Sequence, residues 1–396
     1  MVNDKDKDEK RREEEKKRIE AKKRSTERRV NDLPPNKKNI NRHIYYDDDD
    51  DELIITNPPS PIIPNIIEEI VPIPTPDAEY IVIDKEINNL SDLIELGKMY
   101  DPFANKIYSI DLRILSKLVE PLTELNNMIG MNIVKQEIVD HILFKIQDFD
   151  SNNDMMHTVI QGPPGTGKTE VAKIIGKVYL AMGILKNDTF VKASRSQLIA
   201  GYLGQTARAT QRIIDSAQGG ILFIDEVYSL GNPEQRDSFS KECIDTINEN
   251  LTEKKTDFIC IIAGYKKEID SCFFAYNPGL ERRFPVRFTI EPYNFTDLYL
   301  IFKKKAEIIG WELDNTITAK FFEKNYEFFK FYGGDMELLF NRCKRSHSRR
   351  VFATKDSKKK LLTLADLQKG FEAFKNHRET KAKKEKDNEL WKTMFM

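Results

Sequence analysis

Apolar and polar positions follow two different spacings along this chain. Between Met156 and about Tyr293, short apolar runs such as "ILFI" and "FICIIAG" alternate with stretches in which apolar residues recur every three to four positions. Short apolar runs are typical of buried strands, and the longer spacing is typical of amphipathic helices. This segment therefore predicts a mostly parallel sheet flanked by helices. From Phe295 onward only the helical spacing remains, which predicts a small all-helical domain.

The segment before the sheet is patterned as well. A short strand-like run that begins at Tyr80 precedes an amphipathic stretch, and "SIDLRILSKLVEPLTELNNMIGMNIVKQEIVDHILFKI" predicts two helices on either side of Gly130. These patterns divide this part of the chain into a helical extension at 80–124, an α/β domain at 125–293 and a helical domain at 294–377.

Residues 1–79 have a different composition. Asp4–Arg29 consists almost entirely of charged residues, and proline recurs through Asn31–Asp77 around the acidic run Asp47–Asp51. A segment so rich in charge and proline buries too little apolar surface to fold alone, so we interpret 1–79 as a disordered charged tail. It is either a plain spacer, which is the simpler interpretation, or a docking tail that uses a motif such as "IIEEIVPIP". Residues 378–396 form a C-terminal tail that is basic and then apolar.

Composition argues against several classes of protein. With 63 basic and 64 acidic residues the net charge is −1, which gives no reason to expect a nucleic-acid or membrane partner. The four cysteines form no CxxC pair, so we expect a reducing compartment and no zinc site. The N-terminus is charged, and the sequence has no apolar run of about 18 residues. These features predict a cytoplasmic protein that is neither secreted nor membrane-spanning.

Candidate chemistry begins with "HTVIQGPPGTGKTEVAKIIG", which predicts a strand, a glycine-rich loop and a helix. The loop fits the pattern G-x-x-x-x-G-K-[ST], with the residues Gly162, Pro163, Pro164, Gly165, Thr166, Gly167, Lys168 and Thr169. Its glycines let backbone N–H groups turn inward around phosphate oxygens, and the helix N-terminus adds its positive end. In this pattern Lys168 contacts the β- and γ-phosphates, and Thr169 offers its hydroxyl to Mg²⁺. The flanking strand and helix argue against a chance match on a tight turn.

A second stretch, "GGILFIDEVYSL", supports the first. Apolar residues 221–224 predict a buried strand, and Asp225 and Glu226 stand at its carboxyl end, where ligands bind in open α/β sheets. Asp225 is placed to hold the Mg²⁺ shell, and Glu226 to orient and deprotonate the attacking water. Adjacent carboxylates at a sheet end are costly without a cation, which argues against a purely structural role. The combination of this pair with the glycine-rich loop indicates nucleoside triphosphate hydrolysis. No N-K-x-D guanine-reading motif follows, which argues against a small GTPase.

Arg282 and Arg283 follow the next predicted strand, in "NPGLERRF". Two adjacent arginines are more often a solvated surface, and neither has an evident partner in its own chain. In a ring of identical subunits, however, this loop would face the neighbour's nucleotide. An arginine there stabilises charge on the transferred phosphate and is worth roughly 10³ to 10⁵ in rate in related chemistry.

Together these residues resemble an AAA+ ATPase of the branch that contains red-type rubisco activase and stage V sporulation protein K. The resemblance rests on "GPPGTGKT", "GYLGQTA", "LFIDEVYSL" and "IAGY" followed by "NPGLERRF", and it spans Leu125 to about Phe374. It implies a P-loop AAA+ parallel sheet with a helical lid, ATP and Mg²⁺ as cofactors, and a homo-oligomer that is expected to be a hexamer. Tyr80–Leu125 and "GGDMELLF" to "SHSRRVF" also resemble AAA proteins of giant DNA viruses. A viral member would act in the host cytoplasm or the viral factory.

The same resemblance implies a role for Tyr202, which lies between Gly201 and Gly204. A bulky aromatic in a solvent-facing loop buries little area and loses entropy when it is ordered. In AAA+ hexamers the loop after the second strand projects into the central pore, where its aromatic grips a substrate polypeptide. Tyr202 falls at that position. Packing against a neighbouring helix is the structural alternative.

The chain departs from the family pattern at two places. After the fourth strand the family at large carries a polar sensor residue, and this chain has Ala263-Gly264-Tyr265. The lid of the family carries Gly-x-x-Arg, whose arginine touches the γ-phosphate, and this chain has Gly334-Asp335-Met336-Glu337.

Three functions stay open on the sequence. The first is an ATP-driven ring that remodels a protein substrate or threads it through its pore. The second is a nucleic-acid motor or loader, which would want basic residues on the pore loop. Arg195 and Arg208 flank that loop, but its centre is aromatic. The third is an ATP-dependent scaffold with weak hydrolysis, which Glu337 allows and the complete phosphate site argues against. The sequence does not identify the protein substrate.

Overall fold

The structure is a computed structural model, and it describes residues 78–147, 155–202, 204–231, 237–277, 279–352 and 359–377. The disordered tail predicted at 1–79 lies outside these residues, except for its last two positions. The C-terminal tail at 378–396 lies outside them entirely. Among the described helices, none is long and apolar enough to cross a membrane.

Two helices and a short strand pair form the N-terminal extension. Strand β1 (Glu79–Ile81) pairs in parallel with β2 (Lys106–Tyr108). Helix α1 (Leu90–Lys98) packs against α2 (Leu112–Asn126). The strand-like run and the amphipathic helix that the sequence predicts after Tyr80 are therefore both present.

Local sequence explains where α1 begins and how closely it packs. The Asn89 side chain accepts a hydrogen bond from the backbone N–H of Asp92, and the Asp92 carboxylate accepts one from Asn89 in return. This reciprocal pair is a capping box. Gly97 lets the two helices approach, because a Cβ there would lie 2.4 Å from the carbonyl oxygen of Leu115.

The central sheet has five strands. They are β3 (Thr158–Gln161), β4 (Phe190–Ala193), β5 (Ile221–Ile224), β6 (Ile259–Gly264) and β7 (Val286–Thr289). Their order across the sheet is β4-β5-β6-β3-β7, and every pairing is parallel. The predicted parallel α/β sheet is confirmed. Because all strands run the same way, the carboxyl ends of β3, β5 and β6 meet at one edge, where open α/β sheets bind ligands.

Helices cover both faces of this sheet. They are α3 (Asn132–Ile146), α4 (Lys168–Ala181), α5 (Arg195–Leu198), α6 (Thr206–Ser216), α7 (Ser238–Glu253) and α8 (Lys266–Cys272). Helices α2 and α3 lie on either side of Gly130, as the sequence predicts. The chain reverses there through two successive left-handed residues, Gly130 with φ 65° and Met131 with φ 58°.

Successive strand residues point to opposite faces of the sheet, so each strand contributes to two apolar clusters. On β5, Ile221 and Phe223 join the cluster that contains residues of α2, α3 and α4. Leu222 and Ile224 join the cluster that contains residues of α6, α7 and α8. Burial on both faces explains why this strand is an unbroken apolar run rather than an alternating one.

The C-terminal domain, which we call the lid, consists mainly of helices. They are α9 (Phe295–Ile308), α10 (Ala319–Lys324), α11 (Tyr332–Val351) and the helical residues 364–377. Aromatic rings fill its centre: the Phe302 ring lies 5.5 Å from that of Phe322 and 5.6 Å from that of Phe340, between centroids.

The lid differs in one respect from the all-helical domain that the spacing predicts. Strand β8 (Glu312–Leu313) pairs in parallel with β9 (Leu361–Leu362). Each strand has two residues, which is too short for an alternating pattern to be recognised in the sequence.

Candidate phosphate site

The phosphate loop runs from the end of β3 to the start of α4. At its start the Gly162 N–H donates a hydrogen bond to the Gly264 carbonyl oxygen on β6, at 3.2 Å. Gly165 and Gly167 have φ of 70° and 88°, a left-handed conformation that favours glycine. Gly167 is also the N-cap of α4. The first N–H groups of a helix lack intrahelical acceptors, so the loop ends where an anion can be bound.

A cavity of about 360 Å³ opens beside this loop. Its lining residues are Pro164, Gly165, Gly167, Lys168, Thr169, Glu170, Asp225, Glu226, Tyr228, Gly264 and Tyr265. The volume lies within the usual range for small-molecule sites, about 300–1,000 Å³. Of the predicted loop residues, Gly162, Pro163 and Thr166 are not part of this lining. The Thr166 hydroxyl donates to the Pro163 carbonyl oxygen at 2.8 Å.

Lys168 extends back along the loop. Its ammonium donates to the carbonyl oxygens of Gly162 and Pro163, at 3.0 and 2.8 Å. It also lies 5.2 Å from the centroid of the Tyr265 ring. Burial lowers the pKa of Lys168 below its usual value, while the nearby carboxylates of Asp225 and Glu226 raise it.

Thr169 and Asp225 meet as the sequence predicts. The Thr169 hydroxyl donates to Asp225 Oδ2 at 3.3 Å. A third residue, Lys192, reaches the same oxygen from β4 with its ammonium at 2.9 Å. Sequence reasoning missed Lys192. The available signal was a lysine near the end of an otherwise apolar strand, "FVKA".

Glu226 stands next to Asp225 with its backbone in the left-handed region, at φ 50° and ψ 47°. Its N–H donates to Asp225 Oδ1 at 3.1 Å, and its side chain is exposed. Left-handed backbone is costly for a residue other than glycine, and such strain concentrates at functional sites. Below Glu226, the rings of Tyr228 and Tyr265 stack with centroids 5.3 Å apart. Burial, followed by the proximity of Tyr265 and Glu226, raises the pKa of Tyr228.

These residues fit a magnesium-bound nucleoside triphosphate. The loop is a tight cradle in which a Cβ on Gly165 would lie 2.1 Å from the Phe331 carbonyl oxygen. Lys168 supplies a cation beside it. Thr169 and Asp225 present two oxygen ligands together, and Mg²⁺ prefers oxygen ligands.

The structure places Arg282 and Arg283 away from this cavity. Both belong to a 3-10 turn, Glu281–Arg283. Arg282 lines a separate cavity of about 740 Å³. The expectation that Arg283 lacks a partner in its own chain is wrong, because its guanidinium donates to the Thr252 hydroxyl and to the Gly279 carbonyl oxygen, both at 2.7 Å.

Tyr202 lies in the loop between α5 and α6, with 74% of its surface exposed. This exposure argues against the alternative in which the ring packs against a neighbouring helix. Arg195, at the start of α5, pairs with groups of its own chain. It donates to Asp237 Oδ2 at 2.8 Å and to the carbonyl oxygen of Ser229, which follows Glu226 by three positions.

The two departures from the family pattern have defined surroundings. Gly264 lies against Tyr228, since a Cβ there would be 2.9 Å from that ring. Glu337, on the first turns of α11, pairs with Lys305 of α9 at 3.2 Å.

Comparison with known proteins places these features in a family. Residues 158–291 match the family model described as "ATPase family associated with various cellular activities (AAA)". The chain is 44% identical over 299 residues to a cfxQ-like protein of Acanthamoeba polyphaga mimivirus, a match that covers 74% of each chain.

Two bacterial proteins match shorter stretches. Stage V sporulation protein K of Bacillus subtilis is 37% identical over 197 residues, covering 48% of this chain and 61% of that one. The ESX-1 secretion system protein EccA1 of Mycolicibacterium smegmatis is 32% identical over 215 residues, covering 52% of this chain and 37% of that one. The matches thus span less than two thirds of these two relatives.

Proposed function

The chain belongs to the AAA family of ATPases, and from this premise we propose that it forms a ring that remodels a protein substrate by threading it through a central pore. The observation that carries the proposal is the convergence of Lys168, Thr169, Asp225 and Glu226 on one cavity. The exposed Tyr202 on a separate loop supports the second half of the proposal.

Each residue of the cavity has a proposed part in hydrolysis. Lys168 binds the β- and γ-phosphates with the ammonium that now lies against the loop carbonyls. The glycine-rich loop and the first turn of α4 bind phosphate oxygens through backbone N–H groups. Thr169 and Asp225 hold Mg²⁺, which when bound draws electron density from the phosphate oxygens.

Glu226 accepts the proton of the attacking water. Its position one residue beyond Asp225 and its exposed carboxylate leave it open to the cavity. Correctly positioned general bases contribute about 10² to 10⁴ in rate. The backbone at Glu226 is left-handed, and its N–H donates to Asp225 Oδ1 at 3.1 Å, which fixes the main chain beside the carboxylate that is proposed to hold the metal.

The ring is proposed from Arg282 and Arg283. Neither lines the cavity of its own chain. In a ring, this turn of a neighbouring subunit would supply a positive group in addition to Lys168 and Lys192, so we assign an in-trans role to it. The 2.7 Å bonds of Arg283 to Thr252 and Gly279 hold the guanidinium in place. A group held in place before the reaction loses little entropy when it engages.

The pore role is proposed for Tyr202. An exposed aromatic ring offers a flat apolar surface that grips polypeptide of varied sequence. The ion pair of Arg195 with Asp237 engages one of the two flanking cations that a nucleic-acid motor would use. The loop therefore favours polypeptide over nucleic acid.

A substrate trap tests the proposal. Glu226→Gln removes the base while keeping the size of the side chain, so the variant should hold ATP without hydrolysing it. With ATP and Mg²⁺ we expect a native mass of about six protomers, the closed ring that the resemblance to AAA+ proteins implies. We also expect polypeptide to be retained and then released when ATP is removed. Glu226→Gln combined with Lys168→Ala is the control, and it should retain nothing.

The outcomes separate the alternatives. A monomer at saturating ATP and micromolar protein contradicts the ring. Retained nucleic acid in place of polypeptide supports a motor on nucleic acid. A wild-type protein that binds ATP, hydrolyses almost none and retains no macromolecule supports the scaffold.

A further inference from the structure

Lys192 forms an ion pair at the centre of the phosphate site. Its ammonium lies 2.9 Å from Asp225 Oδ2, the oxygen that also accepts the Thr169 hydroxyl at 3.3 Å. Asp225 and Thr169 are the two residues proposed to hold Mg²⁺. A cation from the protein itself therefore lies against the carboxylate that would hold the metal.

The strand register directs Lys192 to this place. In the parallel pairing of β4 with β5, Lys192 is opposite Phe223. Asp225 follows Phe223 by two positions and so points to the same face of the sheet. The Lys192 side chain accordingly runs along the Phe223 ring. Its ammonium lies 5.7 Å from the ring centroid and 2.9 Å from Asp225 Oδ2.

We propose that Lys192 sets how strongly nucleotide binding depends on Mg²⁺, by acting as an internal counter-ion of Asp225. The inference rests on the proposed function, since it requires Asp225 to be the metal-binding carboxylate. Mg²⁺ binds carboxylate oxygens at about 2.0–2.1 Å, so the ammonium and a metal held by the same carboxylate would lie close together and repel each other. The Lys192 side chain, 52% exposed, has solvent beside it to move into.

The two states of the site give Lys192 opposite effects. Without metal, its charge offsets the carboxylates of Asp225 and Glu226, so phosphates enter a less negative site. With metal, the same charge opposes Mg²⁺ at Asp225. Removing the charge should therefore weaken the binding of metal-free nucleotide and strengthen the binding of the magnesium complex.

Equilibrium binding of a fluorescent ADP to the full chain tests this, once in EDTA and once in MgCl₂. Lys192→Met keeps the length of the apolar stem and removes the ammonium. We expect its Kd to rise about threefold or more in EDTA and to fall about threefold or more in MgCl₂, the scale of one partly exposed ion pair. Lys192→Arg keeps the charge and should bind like the wild type in both buffers.

Lys177→Met is the matched control. The Lys177 side chain is also 52% exposed and also pairs with a carboxylate, Glu124 of α2, at a distance from the cavity. Both of its Kd values should equal those of the wild type. Thermal melts confirm that each variant is folded. If Lys192→Met lacks a cooperative melt, Lys192→Gln removes the charge while keeping a donor to Asp225, and it carries the same expectation.

Each outcome decides something. Opposite shifts in the two buffers support the counter-ion. Shifts in the same direction, or no shift, overturn it while leaving Asp225 as the metal ligand, provided that wild-type binding responds to Mg²⁺. A wild-type protein whose ADP binding is indifferent to Mg²⁺ overturns both this inference and the proposed role of Asp225.

Discussion

The backbone N–H of Gly333 donates a hydrogen bond to the carbonyl oxygen of Gly165, at 3.0 Å. Gly333 is the second residue of α11 in the lid and Gly165 belongs to the phosphate loop, so the lid contacts the loop directly. At Glu337 the resemblance would place an arginine that reaches phosphate, and here the glutamate pairs with Lys305 within the lid. We therefore expect nucleotide binding to affect the lid through the contacts between the lid and the phosphate loop, rather than through a lid arginine.

Tyr293 provides a second connection between the phosphate loop and the lid, and this connection can be tested by mutation. Its hydroxyl donates to the Thr166 carbonyl oxygen of the loop at 3.0 Å, and its own carbonyl oxygen accepts from the Tyr326 hydroxyl of the lid at 2.6 Å. Tyr293→Phe removes the bond to the loop, which should lower the free energy of unfolding by about 1 kcal/mol. Because the loop loses a support, ADP affinity measured by titration should also fall by about threefold, a shift of similar free energy or less.

Tyr108→Phe is the control for that variant. The Tyr108 hydroxyl also donates to a carbonyl oxygen at 3.0 Å, that of Met99, within the N-terminal extension. Tyr108→Phe should lower the free energy of unfolding and leave ADP affinity unchanged. If the two variants bind ADP equally well, the tyrosine does not link the lid to the loop.

Lys168 and Glu226 should separate binding from turnover. Lys168 is proposed to contact phosphates in the ground state, so Lys168→Ala should weaken ATP binding by about tenfold or more, as expected for the loss of a charged hydrogen bond. Glu226 is proposed to act on the water, so Glu226→Gln should bind ATP like the wild type and lose about 10² or more in kcat. Nucleotide titration and a phosphate-release assay measure the two quantities. Equal losses of affinity would contradict the assignment.

The phosphate site could be predicted because continuous stretches encode it. The spacing of Gly162, Gly167 and Lys168 specifies the loop, and an apolar run specifies the strand that ends at Asp225. The contact of Lys192 with Asp225 could not be predicted in this way. It joins residues 33 positions apart and depends on which residue of β4 is opposite which residue of β5.

Side-chain partners and very short strands also could not be predicted from the sequence. The sequence places Arg283 in a loop, but its bonds to Thr252 and Gly279 depend on how α7 ends beside that loop. In the same way, Arg195 flanks the pore loop in the sequence, and only the fold brings it to Asp237. Strands β8 and β9 have two residues each and leave no pattern to recognise.

Arg283 should act on the nucleotide of a neighbouring subunit. Arg283→Ala should leave ATP affinity near that of the wild type and lower turnover by about 10³ in the assembled ring, the lower end for an arginine finger. Arg282→Ala, on the adjacent position, shows which of the two carries the effect. Mixing Arg283→Ala with Lys168→Ala subunits should restore part of the turnover, because each supplies what the other lacks. Mixed rings, verified by mass, that stay inactive would argue against action in trans.

Tyr202 should be separable from the fold and from the nucleotide site. Its ring is 74% exposed, and a Cβ on either flanking glycine, Gly201 or Gly204, would meet nothing within 4 Å. Tyr202→Ala should therefore change the free energy of unfolding by about 0.5 kcal/mol or less and leave ADP affinity unchanged. In the Glu226→Gln background it should abolish polypeptide retention, and Tyr202→Phe should keep most of it, because grip needs the ring more than the hydroxyl. A lowered melting temperature would indicate a packing role instead.

His157 should make the fold sensitive to mild acid. It is fully buried directly before β3, with Nδ1 accepting the Cys260 N–H at 3.0 Å and Nε2 donating to the Leu251 carbonyl oxygen at 3.1 Å. This pairing requires the neutral ring, and burial lowers the pKa of His157 to about 4, against the opposing effect of the Leu251 bond.

The direction in which stability changes with pH follows from comparing that pKa with 6.5, the ordinary value for histidine. Above pH 6.5 the ring is neutral in both states, so the folded state bears no penalty. As the pH falls from 6.5 towards 4, the unfolded chain takes up a proton that the folded chain does not, and stability is lost. Between pH 7.5 and pH 5 this site should remove about 2 kcal/mol from the free energy of unfolding. Urea denaturation at several pH values measures the loss, and His157→Gln, which cannot titrate, should lack this part of it. If the free energy of unfolding falls equally with pH in the wild type and in His157→Gln, the buried ring does not govern acid sensitivity.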